Sequence, residues 1–339
     1  RLTTELSGVG TFKSALSSFE SILKKIADLE DFNKQTVDVS SSDIAVTTNG
    51  YASNGTFAIE VKQLALGTRS ESTLFTNASD VVGSGTLSFT AGSETFDVDI
   101  DPTDSLSAIR DKINAQSENF GLTANVITTN DGSFLSYSSE ITGLDNELAV
   151  TTSDSSLDAI STDAVIKQNS QDAMIEVDSN IVTKSTNEFK NVIEDVTITA
   201  VKENIGEITT ITIAQDEDNG KKLIDDFVSA YNQLRSTMDT LGNAETGDLA
   251  FDPNIRQLKS QLNSIVTDSI SGLASGFSSL SDIGITIDRT GMLEVNPVPI
   301  GSLESGSDTL ANALENNLSE IGELFASSNG VTAQLNTLI

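Results

Sequence analysis

The sequence predicts an α+β multidomain protein: a helical, coiled-coil-like bundle formed from both chain ends, with two nested antiparallel β-rich domains inserted. Three observations lead to this prediction. The chain has 339 residues, which exceeds what one hydrophobic core usually organises. Apolar residues recur with heptad spacing near both ends. Between them, about 200 residues alternate with the period of two that is typical of strands.

The first helix is predicted from an apolar seam near the N-terminus. Its members follow the 4-3-4-3 spacing of a heptad seam: Phe12, Leu16, Phe19, Leu23 and Ile26. This spacing is typical of a helix that packs along one side. A similar stripe before it is interrupted by Gly8 and Gly10.

The same spacing returns in the C-terminal part of the chain. A second seam contains Leu223, Phe227, Leu234 and Leu241, with Ala230 and Thr237 between them. A third stripe of Ile255, Leu258, Leu262 and Ile265 follows Asp252-Pro253, a good start for a helix. Beyond it, the sequence predicts a β-hairpin near 283–295 and a last helix near 308–325.

These apolar seams must pack against each other to bury their side chains. Burying each apolar side chain contributes roughly 1.5–3 kcal/mol, whereas an isolated helix of this length is marginal. The only partners for the first helix lie beyond residue 219, in the same chain or in another subunit. The β-rich region is therefore an insertion into a helical bundle.

The inserted region is predicted to consist of half-buried antiparallel strands. Phe57, Ile59 and Val61 alternate with mostly polar residues. Residues 96–100 and 210–213 show the same alternation of apolar and polar side chains. Turn residues at 91–92 and 130–132 separate such runs. One short helix is predicted after residue 101, with Leu106, Ile109 and Ile113 on its buried face.

The predicted domain limits follow from these patterns. Residues 1–35 and 216–339 form the helical domain with the hairpin. Residues 36–72 and 166–215 form a first β domain. Residues 73–165 form an outer β domain with the one short helix.

Composition limits the function classes. The formal charge is −31 and the chain has neither cysteine nor histidine. An acidic surface repels phosphates and anionic headgroups, so neither nucleic acid nor membrane is an expected partner. Only residues 1–35 have no net formal charge, with five basic and five acidic residues. This suggests that the segment contacts another surface. The chain begins at Arg1, so a targeting segment is neither predicted nor excluded.

We predict no catalytic, cofactor-binding or metal-binding residue. Ser21 and Lys24 match S-x-x-K inside the first helix, but no S-D-N or K-T-G follows. Residues 242–247 have the glycine spacing of a phosphate loop, with Asp248 where lysine is needed. The acids at 97–104 lack the glycine and the terminal acid of a calcium loop. A glycosidase with paired carboxylates is disfavoured because the chain has no tryptophan and three tyrosines.

Three stretches resemble the flagellar hook-associated protein 2 family. Residues 55–65 (GTFAIEVKQLA) are similar to its strand ending in Gln-Leu-Ala. Residues 105–114 with 121–126 resemble a module inserted in flagellins. Residues 226–232 (DFVSAYN) and 280–285 (LSDIGI) are the part of the resemblance most specific to this family, as opposed to the flagellins. At 178–180 the chain has Asp-Ser-Asn where the family often has Asp-Gly, which leaves the turn type open.

The resemblance implies a structural cap at the distal tip of the bacterial flagellar filament, outside the cell and exported by the flagellar type III system. Such a cap is a homo-oligomeric ring whose β domains make a plate and whose helical domains act as legs. It promotes folding and insertion of exported flagellin, and is needed for filament elongation and motility. Hook–filament junction proteins and a flagellar export chaperone are further implied partners, and terminal segments beyond this chain are expected.

Two alternatives stay open at this point. One is a flagellin or hook–filament junction protein, which shares the inserted module. The other is a role in cell adhesion, in which the acidic β module binds host mucin or glycans.

Overall fold

A computed structural model describes residues 2–273 and 276–339. The helices are α1 (Leu2–Ile26), α2 (Leu29–Phe32), α3 (Leu106–Ala115), α4 (Glu217–Leu241), α5 (Pro253–Thr267), α6 (Gly306–Asn316), α7 (Leu318–Ala326) and α8 (Val331–Leu338). The first nine strands are β1 (Gln35–Val39), β2 (Ile44–Thr48), β3 (Gly55–Gln63), β4 (Gly67–Glu71), β5 (Gly85–Ala91), β6 (Glu94–Ile100), β7 (Leu122–Thr129), β8 (Gly132–Thr142) and β9 (Ala149–Thr152). The remaining strands are β10 (Val165–Gln168), β11 (Ala173–Val177), β12 (Asn180–Lys184), β13 (Glu188–Lys190), β14 (Val196–Ala200), β15 (Thr209–Gln215), β16 (Thr286–Ile287) and β17 (Leu293–Glu294).

The chain divides into two compact units. One consists of Arg1–Thr36 and Ala214–Ile339, and we call it the helical unit. The other is Val37–Ile213, the β unit. Mixed helices and antiparallel sheets in a multidomain chain are what the sequence predicted, and that part of the fold class is confirmed. That both ends form a coiled-coil bundle stays a prediction, as do the domain limits.

The helical unit begins with α1, which runs through both of its early glycines. Gly8 is buried, and a Cβ there would lie 2.8 Å from the Cβ of Asp248. Glycine at this position therefore allows α1 to approach the loop after α4 closely. Both α4 and α5 are capped: Asp216 accepts a hydrogen bond from the Asn219 amide, and Asp252 accepts one from the Asn254 amide. The start of α5 at Asp252-Pro253 is the predicted one.

Two predictions near the C-terminus need correction. The single helix expected near 308–325 is two helices, because Asn317 leaves the helical region with φ −142° and ψ 36°. The apolar residues keep their helical spacing across this break, so the sequence pattern gave no sign of it. The hairpin near 283–295 exists, but its strands β16 and β17 have two residues each, and Leu280–Ile283 form a 3₁₀ helix. The short helix α2 and the last helix α8 were not predicted.

The β unit contains two hydrophobic cores that share no residue among those described. The first lies between a five-stranded sheet, ordered β1-β15-β3-β11-β12, and a three-stranded sheet, ordered β13-β14-β2. Its buried residues include Ile59, Ile175 and Ile211 from the larger sheet and Phe189 and Ile198 from the smaller. The predicted alternation of more and less buried side chains along β3 and along β15 is confirmed. Strand β3 pairs antiparallel with both β11 and β15.

The second core lies among α3, a four-stranded sheet (β10-β4-β8-β7) and a three-stranded sheet (β6-β5-β9). Helix α3 buries Leu106, Ile109 and Ile113, as predicted. Tyr137 is fully buried here and donates a 2.7 Å hydrogen bond to the Ile160 carbonyl; burial raises its pKa. We call α3 and these two sheets the outer module; that it is a separate domain stays a prediction.

Two asparagine side chains cover the first part of the free edge of β7. The amide of Asn114, at the end of α3, both donates to and accepts from the backbone of Ala124, at 2.8 Å each. Asn119 pairs in the same way with the backbone of Leu122, at 2.8 and 2.7 Å. Exposed edge strands invite pairing with other chains, so these amides occupy positions that another strand would use.

The turn between β11 and β12 answers the question that the sequence left open. Asp178 and Ser179 both have positive φ, at 46° and 70°, as a two-residue type I′ hairpin turn requires. Asp178 also accepts a 2.9 Å hydrogen bond from the Ala58 amide. The departure from Asp-Gly therefore keeps the turn but places a strained residue in its second position.

We expect Ser179→Gly to stabilise the β unit by about 0.5–1 kcal/mol, because glycine adopts positive φ without the steric cost of a Cβ. Urea unfolding of the full chain measures this change. Ser179→Ala is the matched control and should give no gain. Equal stability of the glycine and alanine variants would contradict the strain argument.

Candidate interaction surface on the helical unit

Helices α1 and α4 lie antiparallel in the helical unit. Residues 11–22 of α1 line a shared groove with residues 226–237 of α4, and Ile26 lies near Asn219 and Leu223. Of the predicted seam residues in α1, Phe19, Leu23 and Ile26 are buried, whereas Phe12 and Leu16 are half-buried against the same core.

The predicted seam residues of α4 differ in how deeply they are buried. Phe227, Leu234 and Leu241 are buried, and Leu223 is half-buried. Sequence reasoning missed three buried apolar residues of α4: Ile224, Tyr231 and Met238. They belong to a heptad seam offset by one residue from the predicted one, whose members Leu223, Ala230 and Thr237 are only half-buried. The signal was present in the sequence, since 224, 227, 231, 234, 238 and 241 are also spaced 3-4-3-4-3.

Aromatic rings connect α4 to its neighbours. Phe19 of α1 meets Tyr231 edge-on with ring centroids 6.4 Å apart. Phe227 meets Phe325 of α7 edge-on at 5.1 Å, and Phe325 stacks on Phe32 of α2 at 5.7 Å. Such pairs add about 0.5–1.5 kcal/mol each beyond area burial. The two terminal segments therefore share one core, although whether they form a coiled coil stays a prediction.

A buried arginine joins the hairpin turn to the helices. Arg235 of α4 donates to Asn263 of α5 at 2.6 Å and to the Thr290 carbonyl at 3.4 Å. Its guanidinium fills the space beside Gly291, where a Cβ would lie 2.5 Å from Nη2. Burial also raises the pKa of the adjacent Tyr231. These contacts fix the hairpin turn against α4 and α5.

A side-chain amide holds the second strand of the hairpin. Asn232 of α4 donates to the Leu293 carbonyl at 2.9 Å and accepts from the Leu293 amide at 2.8 Å. Asn232 lies in the stretch 226–232 that carries the family resemblance. Its side chain takes the place of a neighbouring strand.

We expect Asn232→Ala to lower the free energy of unfolding by about 1–3 kcal/mol, because both backbone groups of Leu293 lose their partner. Native-state hydrogen exchange at the Leu293 amide should accelerate. Asn232→Asp, which keeps only the acceptor, should protect that amide better than alanine does. Unchanged exchange in Asn232→Ala would contradict this role.

The outer side of the α1–α4 pair is an open groove of about 550 Å³. Its floor includes Phe19 and Leu234, and small residues such as Ser18 and Ala230 form its walls. Among the described residues that line it, Asp226 alone is charged, and Lys222 contacts this carboxylate at 2.6 Å. The groove is therefore a nearly uncharged surface on a strongly acidic protein.

Large apolar side chains are exposed near one end of α1. Leu6 and Val9 are 72% and 51% exposed, and they flank Gly8, which packs against the loop after α4. In that loop Leu249 is buried, whereas Phe251 is 70% exposed. Clustered apolar exposure of this kind is typical of contact surfaces.

The motifs considered for chemistry have structural explanations. The Ser21 hydroxyl donates to the Ser17 carbonyl within α1 at 2.9 Å. Residues 242–247 connect α4 to α5. Asp101 and Asp104 both bind Lys112, at 2.7 and 2.5 Å, and these hydrogen bonds raise the pKa of Lys112. The Lys112 ammonium group therefore lies beside the carboxylates that were considered as calcium ligands.

Two features are absent from residues 2–273 and 276–339. No cluster of three or more acidic side chains there is arranged to hold a metal ion. Among the helices of that part of the chain, none combines the length and apolar content that crossing a bilayer requires.

Family profiles match most of the chain. "Flagellar hook-associated protein 2 C-terminus" matches residues 170–339, and "Flagellar hook-associated protein 2 N-terminus" matches residues 1–68. "Flagellin hook IN motif" matches residues 86–140, inside the module resembling the flagellin insertion.

Relatives and a solved structure agree with these matches. The chain is 29% identical to flagellar hook-associated protein 2 of Aeromonas caviae, over 98% of this chain and 75% of that protein. It is 29% identical to the Escherichia coli K12 protein of that name, over 99% and 75%. The crystal structure of the flagellar cap protein FliD D1-D2-D3 domains from Escherichia coli has a TM-score of 0.80 at 28% identity, covering 98% of this chain and 94% of that one.

Proposed function

This chain belongs to the flagellar hook-associated protein 2 family, and we propose that it caps the distal tip of the bacterial flagellar filament and promotes folding and insertion of flagellin there. It is a structural protein and not an enzyme. The observation that carries the proposal is the match of both family profiles together with a TM-score of 0.80 over 98% of the chain.

We further propose that the helical unit acts as the leg of the cap. The support is its shared core: Phe19, Leu23 and Phe227 are buried together although they come from opposite ends of the sequence. A leg held by long-range contacts can stay rigid while subunits are added beside it. The seam residues Phe12, Leu16, Ile26, Leu223, Leu234 and Leu241 belong to the same proposal.

The proposed partners are further copies of this chain and flagellin. We also propose contact with hook–filament junction proteins and with a flagellar export chaperone, and export through the flagellar type III system to the outside of the cell. A chain without cysteine suits export in an unfolded state, because no disulfide has to be broken or remade.

Motility of a strain that lacks its cap protein tests the proposal. Expression of this chain as its gene encodes it should restore filament growth and swimming. Normal filament length without any cap protein, or no rescue by an exported and folded chain, would exclude the capping role. A binding assay with mucin or glycans tests the separate prediction of adhesion.

A further inference from the structure

We propose that Phe251 of one subunit inserts into the groove between α1 and α4 of a second copy of this chain, so that neighbouring subunits contact each other through their helical units. This inference rests on the proposed function, since it assigns one contact of the assembled cap. It follows from an exposed aromatic residue, a nearly uncharged groove and the charge of the whole chain.

The aromatic residue is held outward by its loop. Phe251 has φ +68°, which is unusual for a bulky side chain. The loop around it is fixed: Leu249 is buried, its amide donates to the Leu241 carbonyl at 2.9 Å, and the Phe251 carbonyl accepts from Arg256 at 3.2 Å. The fold thus presents a 70% exposed phenyl ring on an anchored support.

The groove has the properties of a receptor for such a ring. Ala15, Ile22 and Ala230 are half-buried and expose part of their apolar surface in it, beside Ser18 and Ser229. The buried Phe19 and Leu234 complete the lining. Its volume of about 550 Å³ exceeds that of one aromatic side chain. Aromatic anchors in such pockets usually dominate the energy of an interface.

Charge favours another copy of this chain as the occupant. The chain carries −31, so two copies repel each other over most of their surfaces. Residues 1–35 are the balanced segment, and the groove carboxylate of Asp226 is paired with Lys222. An acidic partner can therefore approach this groove with little repulsion. A basic partner would be attracted more strongly to the acidic surfaces elsewhere on the chain.

The geometry gives a head-to-tail contact. Each copy carries one Phe251 and one groove, and these are different patches of the same unit. Such heterologous contacts close into rings or extend into filaments, depending on the rotation between copies. A contact between two different patches is therefore compatible with a ring.

The contact is small. An aromatic side chain buries about 150–250 Å², and Leu6 and Val9 add a rim, so the total is below the roughly 1,200 Å² of a stable interface. We therefore expect the contact to be weak in isolation and to act together with others. Covalent trapping is the appropriate assay.

Cysteine pairs test the contact without background, since the native chain has no cysteine. Phe251→Cys combined with Ser18→Cys, in the full chain, should give disulfide-linked multimers beyond the dimer under mild oxidation. The matched control combines Phe251→Cys with Ser17→Cys, because Ser17 is exposed on α1 but does not line the groove. We expect several-fold less multimer in the control.

Loss of the ring should weaken association without harming the fold. Phe251→Gly should raise the concentration for half-association about tenfold or more, measured by sedimentation, since one anchor is typically worth that much. Its melting temperature should stay equal or rise by about 1–3 °C, because glycine accepts positive φ.

Two results would overturn the proposal: equal trapping in both cysteine pairs, or wild-type association of Phe251→Gly. A third would be preferential trapping of flagellin, in an oxidation to which flagellin with an introduced cysteine is added. Rescue of swimming by the unmodified chain separates these outcomes from failure of the capping role. If that rescue occurs and trapping does not, only the Phe251 contact is excluded.

Discussion

Replacing Leu23 by aspartate should abolish filament growth and unfold the helical unit while leaving the β unit folded. Leu23 is fully buried among residues of α1 and α4. A carboxylate there loses the apolar burial and has no partner for its charge, so we expect a loss of about 4 kcal/mol or more. Circular dichroism during heating should show the helical transition lost or shifted far down, and swimming assays should show no motility.

Ser17→Asp is the control for this variant. It adds the same charge to the same helix, but at an exposed position, and it should change stability by less than about 0.5 kcal/mol. Normal filaments made by Leu23→Asp would refute the assignment of α1 to the leg.

Deleting residues 67–170 and joining Leu66 to Gln171 through a short turn should remove the outer module and leave a folded remainder. Leu66 and Gln171 already exchange two backbone hydrogen bonds of 3.0 Å each, so the ends lie side by side. Among the described residues, those buried in the core between the five-stranded and three-stranded sheets all lie outside the deleted range.

The expected cost of this deletion is small for its size. Among the described residues, it removes three hydrogen bonds to the remainder. They run from the Thr142 hydroxyl to the Ser185 carbonyl at 2.6 Å, from the Gly143 amide to the Gln171 carbonyl at 3.2 Å and from the Leu144 amide to the Asp172 carboxylate at 2.7 Å. At about 0.5–1.5 kcal/mol each, these three bonds predict that the free energy of urea unfolding falls by about 1.5–4.5 kcal/mol. Loss of cooperative unfolding would refute the nested arrangement.

A shorter deletion, of residues 73–165, is the informative comparison. Strands β4 and β10 pair with each other, and β4 also pairs with β8 of the same four-stranded sheet. The shorter deletion would leave β4 and β10 without β8 and expose Thr68 and Ser70, which are buried. We expect it to be less stable than the longer one, which would place the module limits at 66 and 171.

Much of the architecture was predictable because its patterns are local. The alternation in β3 and β6, the turn at 91–92 and the apolar face of α3 each depend on neighbouring residues. The break at Asn317 was not predictable, since the apolar period passes through it unchanged. Gly8 looked like a helix breaker but allows a close tertiary contact with Asp248, which no local pattern reports.

The candidate surface was predictable only in part. Periodicity indicated apolar seams in α1 and α4, but it could not show which of two overlapping α4 seams is the buried one, because that depends on which helices surround α4. In the sequence, Arg235 and Asn232 look like ordinary polar residues of a helix, and their roles come from a hairpin about 60 residues later in the chain. The groove and the exposed Phe251 depend on packing and backbone conformation, which the sequence does not display.

The asparagines that pair with strand backbones bear on how a cap can work among unfolded chains. A protein at the growing tip meets newly delivered polypeptide whose peptide groups still lack partners, and any open strand would capture it. Asn114 and Asn119 close part of one such strand with two side chains and no extra strand. At this edge, an immature subunit therefore finds fewer free backbone groups with which to pair.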